Sequence, residues 1–240
     1  PTYQTTSFVF DSQKTAADRF ALAELGPIYT RLGNPTNEAV EARVAALEGG
    51  VGAVLVSSGQ SAEFLAILNV AGAGDHIVAS ASLYGGTYNL FAVTLPKLGI
   101  ETTFVDASDP QAWKDAVRDN TKLFFAESIA NPRSEVLDIR TVADLAHGAG
   151  VPLIVDNTMA TPYLVRPIEH GADVVVHSAT KFLGGHGTSI AGVIVDSGNF
   201  DYTQEPERFP GFNEPDPSYN GLVFGRDLGP DSAFGANVSY

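Results

Sequence analysis

The sequence predicts an α/β protein in which a mainly parallel sheet lies between helices. Short apolar runs alternate along the chain with stretches of helical spacing. The runs are continuously apolar, which is typical of strands that are buried on both faces. They lie at 52–57, 76–80, 101–105, 122–126, 152–155, 173–177 and 190–195. The helical stretches between most of them lie near 60–71, 86–98, 110–118 and 139–148.

The two ends of the chain differ from this alternating middle. Residues 1–33 lack sustained apolar periodicity, so we expect an extended arm that packs on another surface. The first helix is predicted to begin at Asn34 and Pro35, because proline suits a first helical position, and to end at Leu47. After Ser197 the chain is rich in Pro, Gly, Asp and Phe, which predicts a long loop.

Composition restricts the partners of the protein. The 28 acidic residues outnumber the 14 basic ones and give a net charge of -14, which disfavours nucleic acid and anionic lipid as partners. No apolar run approaches the roughly 20 residues of a membrane span. The sequence has no cysteine, which excludes zinc-thiolate sites and suits a reducing compartment. Residues 1–10 show no signal-peptide pattern, so we expect a cytoplasmic protein.

Polar residues follow two of the predicted strands, at the sheet edge where ligands of parallel sheets bind. Strand 52–57 leads into Ser58, Gly59 and Gln60 at the start of a helix, where backbone N–H groups can bind an anion. A plain turn of small residues is the alternative. Strand 152–155 ends before Asp156, which is a candidate to hold a positively charged ring nitrogen or, alternatively, a helix cap.

Lys181 is the candidate for covalent chemistry. An isolated lysine is usually a solvated surface charge. Lys181 instead follows an apolar strand, comes after Ser178 and Thr180, and precedes a glycine-rich turn at 184–187. A partly desolvated lysine in such a position is of the type that forms Schiff bases. The hydroxyl groups of Ser178 and Thr180 could donate to a phosphate.

Two other kinds of site are disfavoured by spacing. The histidines lack metal-ligand spacing with carboxylates or cysteine, so no metal site is expected; they are His76, His147, His170, His177 and His186. The glycines at 72–74 follow a helix and precede a strand, which is the reverse of the dinucleotide-binding order. This order disfavours a nicotinamide-dependent dehydrogenase.

Six blocks of the sequence, in order, resemble those of the Cys/Met-metabolism enzymes that depend on pyridoxal 5′-phosphate (PLP). They are Tyr29–Thr36, Ser58–Gln60, Tyr84–Thr87, Glu127–Ser128 with Asn131–Pro132, Asp156–Thr158, and Ser178–Lys181 with its glycine tail. The resemblance implies fold type I, the aspartate aminotransferase-like fold, with this chain as the large domain. The family's smaller C-terminal domain, which holds the arginine that grips the substrate α-carboxylate, is expected to be absent from this chain.

The resemblance also implies a role for each matched residue. Lys181 would hold PLP as a Schiff base and move protons, while Asp156 would keep the pyridine nitrogen protonated. Tyr84 would stack on the ring and serve as an acid or base near the leaving group. The remaining residues of the implied cofactor site are Asn131 and Glu127 at the ring hydroxyl, and Ser58, Gly59, Gln60, Ser178 and Thr180 around the phosphate.

The resemblance further implies an active site shared between subunits. Tyr29 and Arg31 match residues that reach the neighbouring subunit's phosphate. We therefore expect residues 1–45, the arm and first helix, to contact a partner subunit, and residues 46–240 to form the PLP-binding large domain. A homo-oligomer, commonly a dimer of dimers, is the implied assembly.

Finer details resemble the O-acetylhomoserine sulfhydrylase branch of the family. These details are Gln60, the run 187–190 and the loop 214–219. The implied reaction is γ-replacement on O-acetyl-L-homoserine by sulfide or methanethiol, which gives homocysteine or methionine and acetate. Cystathionine γ-synthase and the cystathionine or methionine γ-lyases are alternatives. An alternative of another class is a catalytically inactive PLP-binding and assembly fragment of a longer enzyme.

Overall fold

The computed structural model describes residues 1–21, 23–24, 26–229 and 233–239. In these ranges the middle layer is a seven-stranded sheet. Its strands are β1 (Gly52–Val56), β2 (His76–Ser80), β3 (Glu101–Val105), β4 (Thr121–Glu127), β5 (Leu153–Asp156), β6 (Val174–His177) and β7 (Gly192–Asp196). The strand order across the sheet is β1-β7-β6-β5-β4-β2-β3. No helix in the described part of the chain is long and apolar enough to cross a membrane.

The sheet is mainly parallel, as predicted. Neighbouring strands from β3 to β6 pair in parallel, whereas β7 is antiparallel to both β6 and β1. Two antiparallel pairings in succession make β1 point the same way as β6. The carboxyl ends of β1, β2, β4, β5 and β6 therefore lie at one edge of the sheet.

Helices cover both faces of the sheet. The α-helices in the described part of the chain are α1 (Gln13–Phe20), α2 (Pro35–Glu48), α3 (Gly59–Leu68), α4 (Gly85–Asn89), α5 (Pro110–Asp115), α6 (Ile139–Gly148), α7 (Thr161–Leu164), α8 (Pro210–Asn213), α9 (Phe224–Asp227) and α10 (Ala233–Ser239), of which α1 belongs to the arm. Successive strand residues alternate between two apolar clusters: Phe125 and Val174 belong to one, Phe124 and Val175 to the other. The prediction of a sheet buried on both faces is confirmed for its central strands, while β1 is half-buried because it is an edge strand.

The sequence predicted an extended arm over residues 1–33. The arm is not extended throughout, because it contains helix α1. The Ser12 hydroxyl accepts a hydrogen bond from the Thr15 N–H, and Lys14 forms an ion pair with Asp18 one turn later. No residue of α1 is buried, so this helix relies on its cap and on side-chain pairs. A helix of this kind has no apolar stripe to reveal it in a sequence.

The prediction of one continuous helix over 86–98 is also wrong. Helix α4 is followed by a π-helical turn at Leu90–Thr94 and a 3₁₀ turn at Leu95–Leu98. Pro96 lacks the N–H that an α-helix would use there, and Gly99 ends the segment in the left-handed conformation at φ 80°.

The segment after Ser197, predicted to be a long loop, instead contains short helices and an aromatic cluster. The Tyr202 and Phe212 rings stack with centroids 4.3 Å apart, and the Phe209 ring meets Tyr202 edge-on at 5.2 Å. These rings are buried against the same sheet face as Phe234. The sequence pattern missed this packing because the aromatic residues follow neither a helical nor a strand period.

Candidate functional site

A cavity of about 180 Å³ lies at the carboxyl edge of the sheet. Residues that follow strands along this edge converge on it because parallel strands end on the same side. Its lining includes most of the predicted site residues, namely Ser58, Gly59, Gln60, Tyr84, Glu127, Asn131, Asp156, Ser178, Thr180 and Lys181. Tyr29 and Arg31 are not among its lining residues.

The start of α3 provides an anion site on one side of the cavity. The Ser58 hydroxyl accepts from the Ser61 N–H at 3.1 Å, and the Ser58 carbonyl accepts from the Ala62 N–H at 3.0 Å. The N–H groups of Gly59 and Gln60, which precede them, have no intrahelical acceptor at a helix start. These two groups and the field of the helix can bind a phosphate.

Two glycines allow the polypeptide segments around this anion site to approach closely. A Cβ atom on Gly59 would lie 2.6 Å from the Ser178 Cβ, and one on Gly192 would lie 2.0 Å from the Ser58 carbonyl oxygen. Only glycine therefore fits at these two positions. The approach places the Ser178 hydroxyl next to the start of α3.

Lys181 lies at the mouth of the cavity, on the turn that follows β6. Its Nζ is 3.5 Å from the Ser178 Oγ. The side chain is exposed, not partly desolvated as the sequence predicted, because residues 181–190 project from the sheet and are mostly uncovered. Its amine is accessible from the cavity.

Thr180 is buried, and its hydroxyl is already bonded to Ala191. The Thr180 Oγ1 donates to the Ala191 carbonyl at 3.2 Å and accepts from the Ala191 N–H at 3.1 Å. These bonds fasten the Lys181 turn to the chain that enters β7. The phosphate role predicted for Thr180 would require its hydroxyl to give up the bond to the Ala191 carbonyl.

Asp156 is the last residue of β5, and its carboxylate is held at the cavity wall. Its Oδ1 accepts from the Thr158 N–H at 2.8 Å. The Thr158 hydroxyl in turn accepts from the Ser178 N–H at 2.7 Å. Thr158 therefore links Asp156, the candidate partner of the ring nitrogen, to the turn that carries Lys181.

Glu127 connects two loops of the site. It is buried at the end of β4, beside Asp156 in the sheet register. Its Oε1 accepts from the Tyr84 N–H at 2.5 Å and its Oε2 accepts from the Asn131 N–H at 2.9 Å. Burial, with the negative charge of Asp156 adding to it, raises the pKa of Glu127 to about 7. Glu127 thus fixes the backbone of Tyr84 and of Asn131.

Glu63 is a cavity residue that the sequence reasoning missed. It lies one turn into α3 and is only 3% exposed. Burial is the largest cause that raises its pKa well above the usual range, and the neighbouring Asp156 adds to the rise. The available signal was its helical spacing from Gln60, because residues three apart share a helix face. Thr158, Met159, Ile129 and Ile190 also line the cavity without having been singled out.

Tyr29 and Arg31 lie on the exposed part of the arm. The Arg31 guanidinium carbon is 5.1 Å from the centroid of the Tyr29 ring. Both side chains are exposed. Within this chain they interact with each other and do not reach the cavity.

The donor set at this edge fits PLP. A phosphorylated pyridine aldehyde requires an anion site, an amine and a carboxylate for its ring nitrogen. The start of α3 with Ser178 supplies the first, Lys181 the second and Asp156 the third. All three groups line the same cavity.

Comparison with known proteins identifies close relatives. The family model described as Cys/Met metabolism PLP-dependent enzyme matches residues 1–237. The O-acetyl-L-homoserine sulfhydrylase of Leptospira meyeri is 56% identical over 241 residues, covering 100% of this chain and 54% of that protein. The O-acetyl-L-homoserine sulfhydrylase of Corynebacterium glutamicum is 57% identical over 242 residues, covering 99% of this chain and 55% of that protein. The chain thus spans about half the length of the curated relatives it matches.

The fold of this chain is also similar to that of solved structures of related enzymes. A crystal structure of a putative O-acetylhomoserine (thiol)-lyase from Campylobacter jejuni, which contains a pyridoxyl-lysine phosphate, superimposes with a TM-score of 0.89. It is 36% identical and is covered to 65% of its length by the whole of this chain. The predictions of fold type I and of PLP as the cofactor are confirmed.

Proposed function

The chain belongs to the Cys/Met-metabolism PLP-dependent enzyme family, and from this we propose the activity of the protein. The proposed reaction is γ-replacement on O-acetyl-L-homoserine by sulfide or methanethiol, with homocysteine or methionine and acetate as products. The observation that carries the proposal is one cavity that unites an anion site, Lys181 and Asp156, in a chain 56% identical to a sulfhydrylase. In the replacement, hydrogen sulfide supplies the new thiol, and acetate leaves with one proton.

The proposed roles divide between binding and proton transfer. Bound PLP supplies a ring that withdraws electrons from the substrate Cα. Lys181 would carry the cofactor covalently through Nζ, as a Schiff base, and would move protons at Cα once released. Asp156 would form an ion pair with the ring nitrogen and keep its proton in place. Tyr84 would cover the ring and direct its hydroxyl toward the leaving group.

The phosphate would bind where the segments are closest. The Gly59 and Gln60 N–H groups would donate to it from the start of α3, with Ser58 and Ser178 beside them. Thr180 would support the phosphate site indirectly, because its hydroxyl bonds the turn that carries Lys181 to Ala191. Asn131, which Glu127 holds at its N–H, would bond the ring hydroxyl oxygen.

We further propose that the site is completed by a second copy of the chain. Tyr29 and Arg31 are exposed and lie outside their own chain's cavity, which supports a role at a partner's phosphate. Residues 1–45 would form the contacting arm and residues 46–240 the PLP-binding domain of a dimer, which would associate into a dimer of dimers. A cytoplasmic location is proposed on the absence of cysteine and the biosynthetic relatives.

Covalent labelling tests the cofactor site. The protein is incubated with PLP, reduced with borohydride and mapped by peptide mass spectrometry. We expect the pyridoxyl mass on Lys181, its loss in Lys181→Ala, and its retention in the control Lys97→Ala. A label on another lysine, or no label with excess PLP, would contradict the assignment.

Product analysis tests the reaction class. The full-length protein is supplied with O-acetyl-L-homoserine and either sulfide or cysteine, and separately with cystathionine. We expect homocysteine from the sulfide reaction as the main product. Dominant cystathionine formation would indicate a γ-synthase, and keto acid release would indicate a lyase. Turnover by the full-length protein, with PLP labelling but no turnover in residues 1–240 alone, would favour the inactive assembly role for this chain.

A further inference from the structure

We propose that Glu63 is a positioning residue, which sets where the Tyr84 ring lies relative to the phosphate site by bonding the start of α3 to helix α4. The inference rests on the proposed function, in which Tyr84 covers the cofactor ring and the start of α3 binds the phosphate. It adds to that site a side chain that acts through Gln60 and Thr87 and does not contact the reacting atoms.

The segment that carries Tyr84 has little structure of its own. Tyr84 directly precedes α4, a helix of five residues with no side-chain hydrogen bond at its cap. A helix this short is not stable in isolation, because its first turn costs more conformational entropy than its few hydrogen bonds recover. The Tyr84 side chain is half exposed and lies over Gly86, where a Cβ atom would be 2.6 Å from the Tyr84 Cε1. The position of the ring therefore depends on the contacts that α4 makes with the rest of the chain.

Glu63 makes such a contact through both of its carboxyl oxygens. Its Oε1 accepts from the Thr87 hydroxyl at 2.8 Å, and its Oε2 accepts from the Gln60 Nε2 at 2.9 Å. The Gln60 amide also donates to the Thr87 hydroxyl at 3.4 Å. Thr87 is fully buried and Glu63 is 3% exposed, so water does not compete for these bonds. The three side chains are called the Glu63 bridge below.

The Glu63 bridge connects the two parts of the proposed cofactor site. Gln60 is at the start of α3, where the N–H groups can bind the phosphate, and Thr87 lies three residues after Tyr84. Glu127 bonds the same segment at a second point, since its Oε1 accepts from the Tyr84 N–H. One bond to the backbone fixes a point of the segment, whereas a second bond at Thr87 also fixes its direction. The Tyr84 ring is thereby held at a defined place with respect to the start of α3.

An apolar contact holds α4 independently of the Glu63 bridge. The Tyr88 ring stacks on the Phe104 ring with 4.6 Å between their centroids. Neither residue is among those that line the cavity. This contact should keep α4 packed on the protein when the bridge is broken. Loss of the bridge is therefore expected to displace Tyr84 without unfolding the segment.

The test is ¹⁹F NMR of protein labelled with 3-fluorotyrosine, in which the Tyr84 resonance is identified by its absence in Tyr84→Phe. Thr87→Val removes the bridging hydroxyl, and Thr87→Ser retains it. Thr102→Val is the matched control, because it removes a hydroxyl that donates to the Phe91 carbonyl at 3.4 Å. We expect Thr87→Val to shift the Tyr84 resonance in PLP-free protein and to lose most of the shift that PLP causes in the wild type. Thr87→Ser and Thr102→Val should match the wild type in both measurements.

An unchanged Tyr84 resonance in Thr87→Val, both without and with PLP, would overturn this inference and leave the proposed function standing. An equal displacement in Thr102→Val would also overturn it, because loss of an unrelated hydroxyl would then have the same effect.

A second variant covers the case in which Thr87→Val does not fold. The double variant Glu63→Leu with Thr87→Val replaces both partners by apolar groups, which costs little stability compared with leaving one partner unpaired. An unchanged Tyr84 resonance in this double variant would overturn the inference. A wild-type Tyr84 resonance that does not respond to PLP would instead contradict the proposed role of Tyr84 at the cofactor, while the PLP-free spectra would still decide whether the Glu63 bridge positions it.

Discussion

Glu48 and Glu63 are both buried glutamates, but they have different partners and lie in different surroundings. Glu48 accepts hydrogen bonds from the His177 Nε2 at 2.6 Å and from the Asn157 Nδ2 at 2.9 Å. Glu63 accepts hydrogen bonds from the Thr87 hydroxyl and the Gln60 amide, and it lines a cavity together with the acidic residues Glu127 and Asp156. They lie on α2 and α3, which pack against opposite faces of the sheet.

The difference indicates what each glutamate contributes. The Glu48 group ties α2 to the chain just after β5 and to the last residue of β6, and its histidine and glutamate side chains are fully buried. Such a pair fixes the backbone but does not reach a ligand. Glu63 lines a cavity, and burial raises its pKa well above the usual range, as is typical of acidic residues at functional sites. Glu48 therefore stabilises the fold outside the cavity, whereas Glu63 forms part of the cavity wall.

The largest expected effect comes from breaking the Glu48 pair. Glu48→Ala or His177→Ala should lower the free energy of unfolding by about 3–5 kcal/mol, because each leaves a buried polar partner unpaired. The double variant Glu48→Leu with His177→Leu should lower the free energy of unfolding by less than the sum of the two single-variant decreases. Urea unfolding measures these differences, with Glu38→Ala as an exposed control expected within about 0.5 kcal/mol of wild type apart from its small helix-end effect. Single variants as stable as the control would show that the pair contributes nothing.

An intermediate effect is expected from Glu63→Gln in the PLP-free protein. Because folding raises the pKa of Glu63, its contribution to stability is complete below the ordinary glutamate pKa of about 4.3 and is lost as pH rises through the raised value. Each unit of rise corresponds to about 1.4 kcal/mol. Glu63→Gln should therefore become more stable relative to wild type as pH increases. Urea unfolding at a series of pH values checks this, and a pH-independent difference would contradict the raised pKa.

The smallest effect is expected from a second histidine–carboxylate pair, His147 with Asp173, in which the histidine is partly exposed. The His147 Nε2 lies 2.8 Å from the Asp173 Oδ2, and the hydrogen bond to Asp173 raises the pKa of His147. Its stabilising contribution is present below the ordinary histidine pKa of about 6.5 and is lost as pH rises through the raised value. The His147 side chain is 41% exposed, so solvent screening should limit the effect of His147→Gln to below about 1 kcal/mol. The same loss at acidic and alkaline pH in urea unfolding would argue against an ion pair.

The local features of the fold were predictable. Each strand of the sheet was predicted within two residues at either end, because a buried strand is a short continuous apolar run. The candidate residues at the strand ends were predicted because parallel strands end at one edge. Helix α1 and the aromatic cluster around Tyr202 were not predicted, since neither has an apolar period.

The sequence by itself determined the α/β class, the family, and the candidate cofactor residues, because periodicity and short motifs are local along the chain. The tertiary structure alone decided which side chains meet across the sheet. Glu48 and His177 are 129 residues apart in sequence and share a hydrogen bond. Glu63 and Asp156 line one cavity because α3 begins at the edge of the sheet where β5 ends. Partners from distant segments depend on strand order and helix packing, and the preferences of individual residues do not specify them.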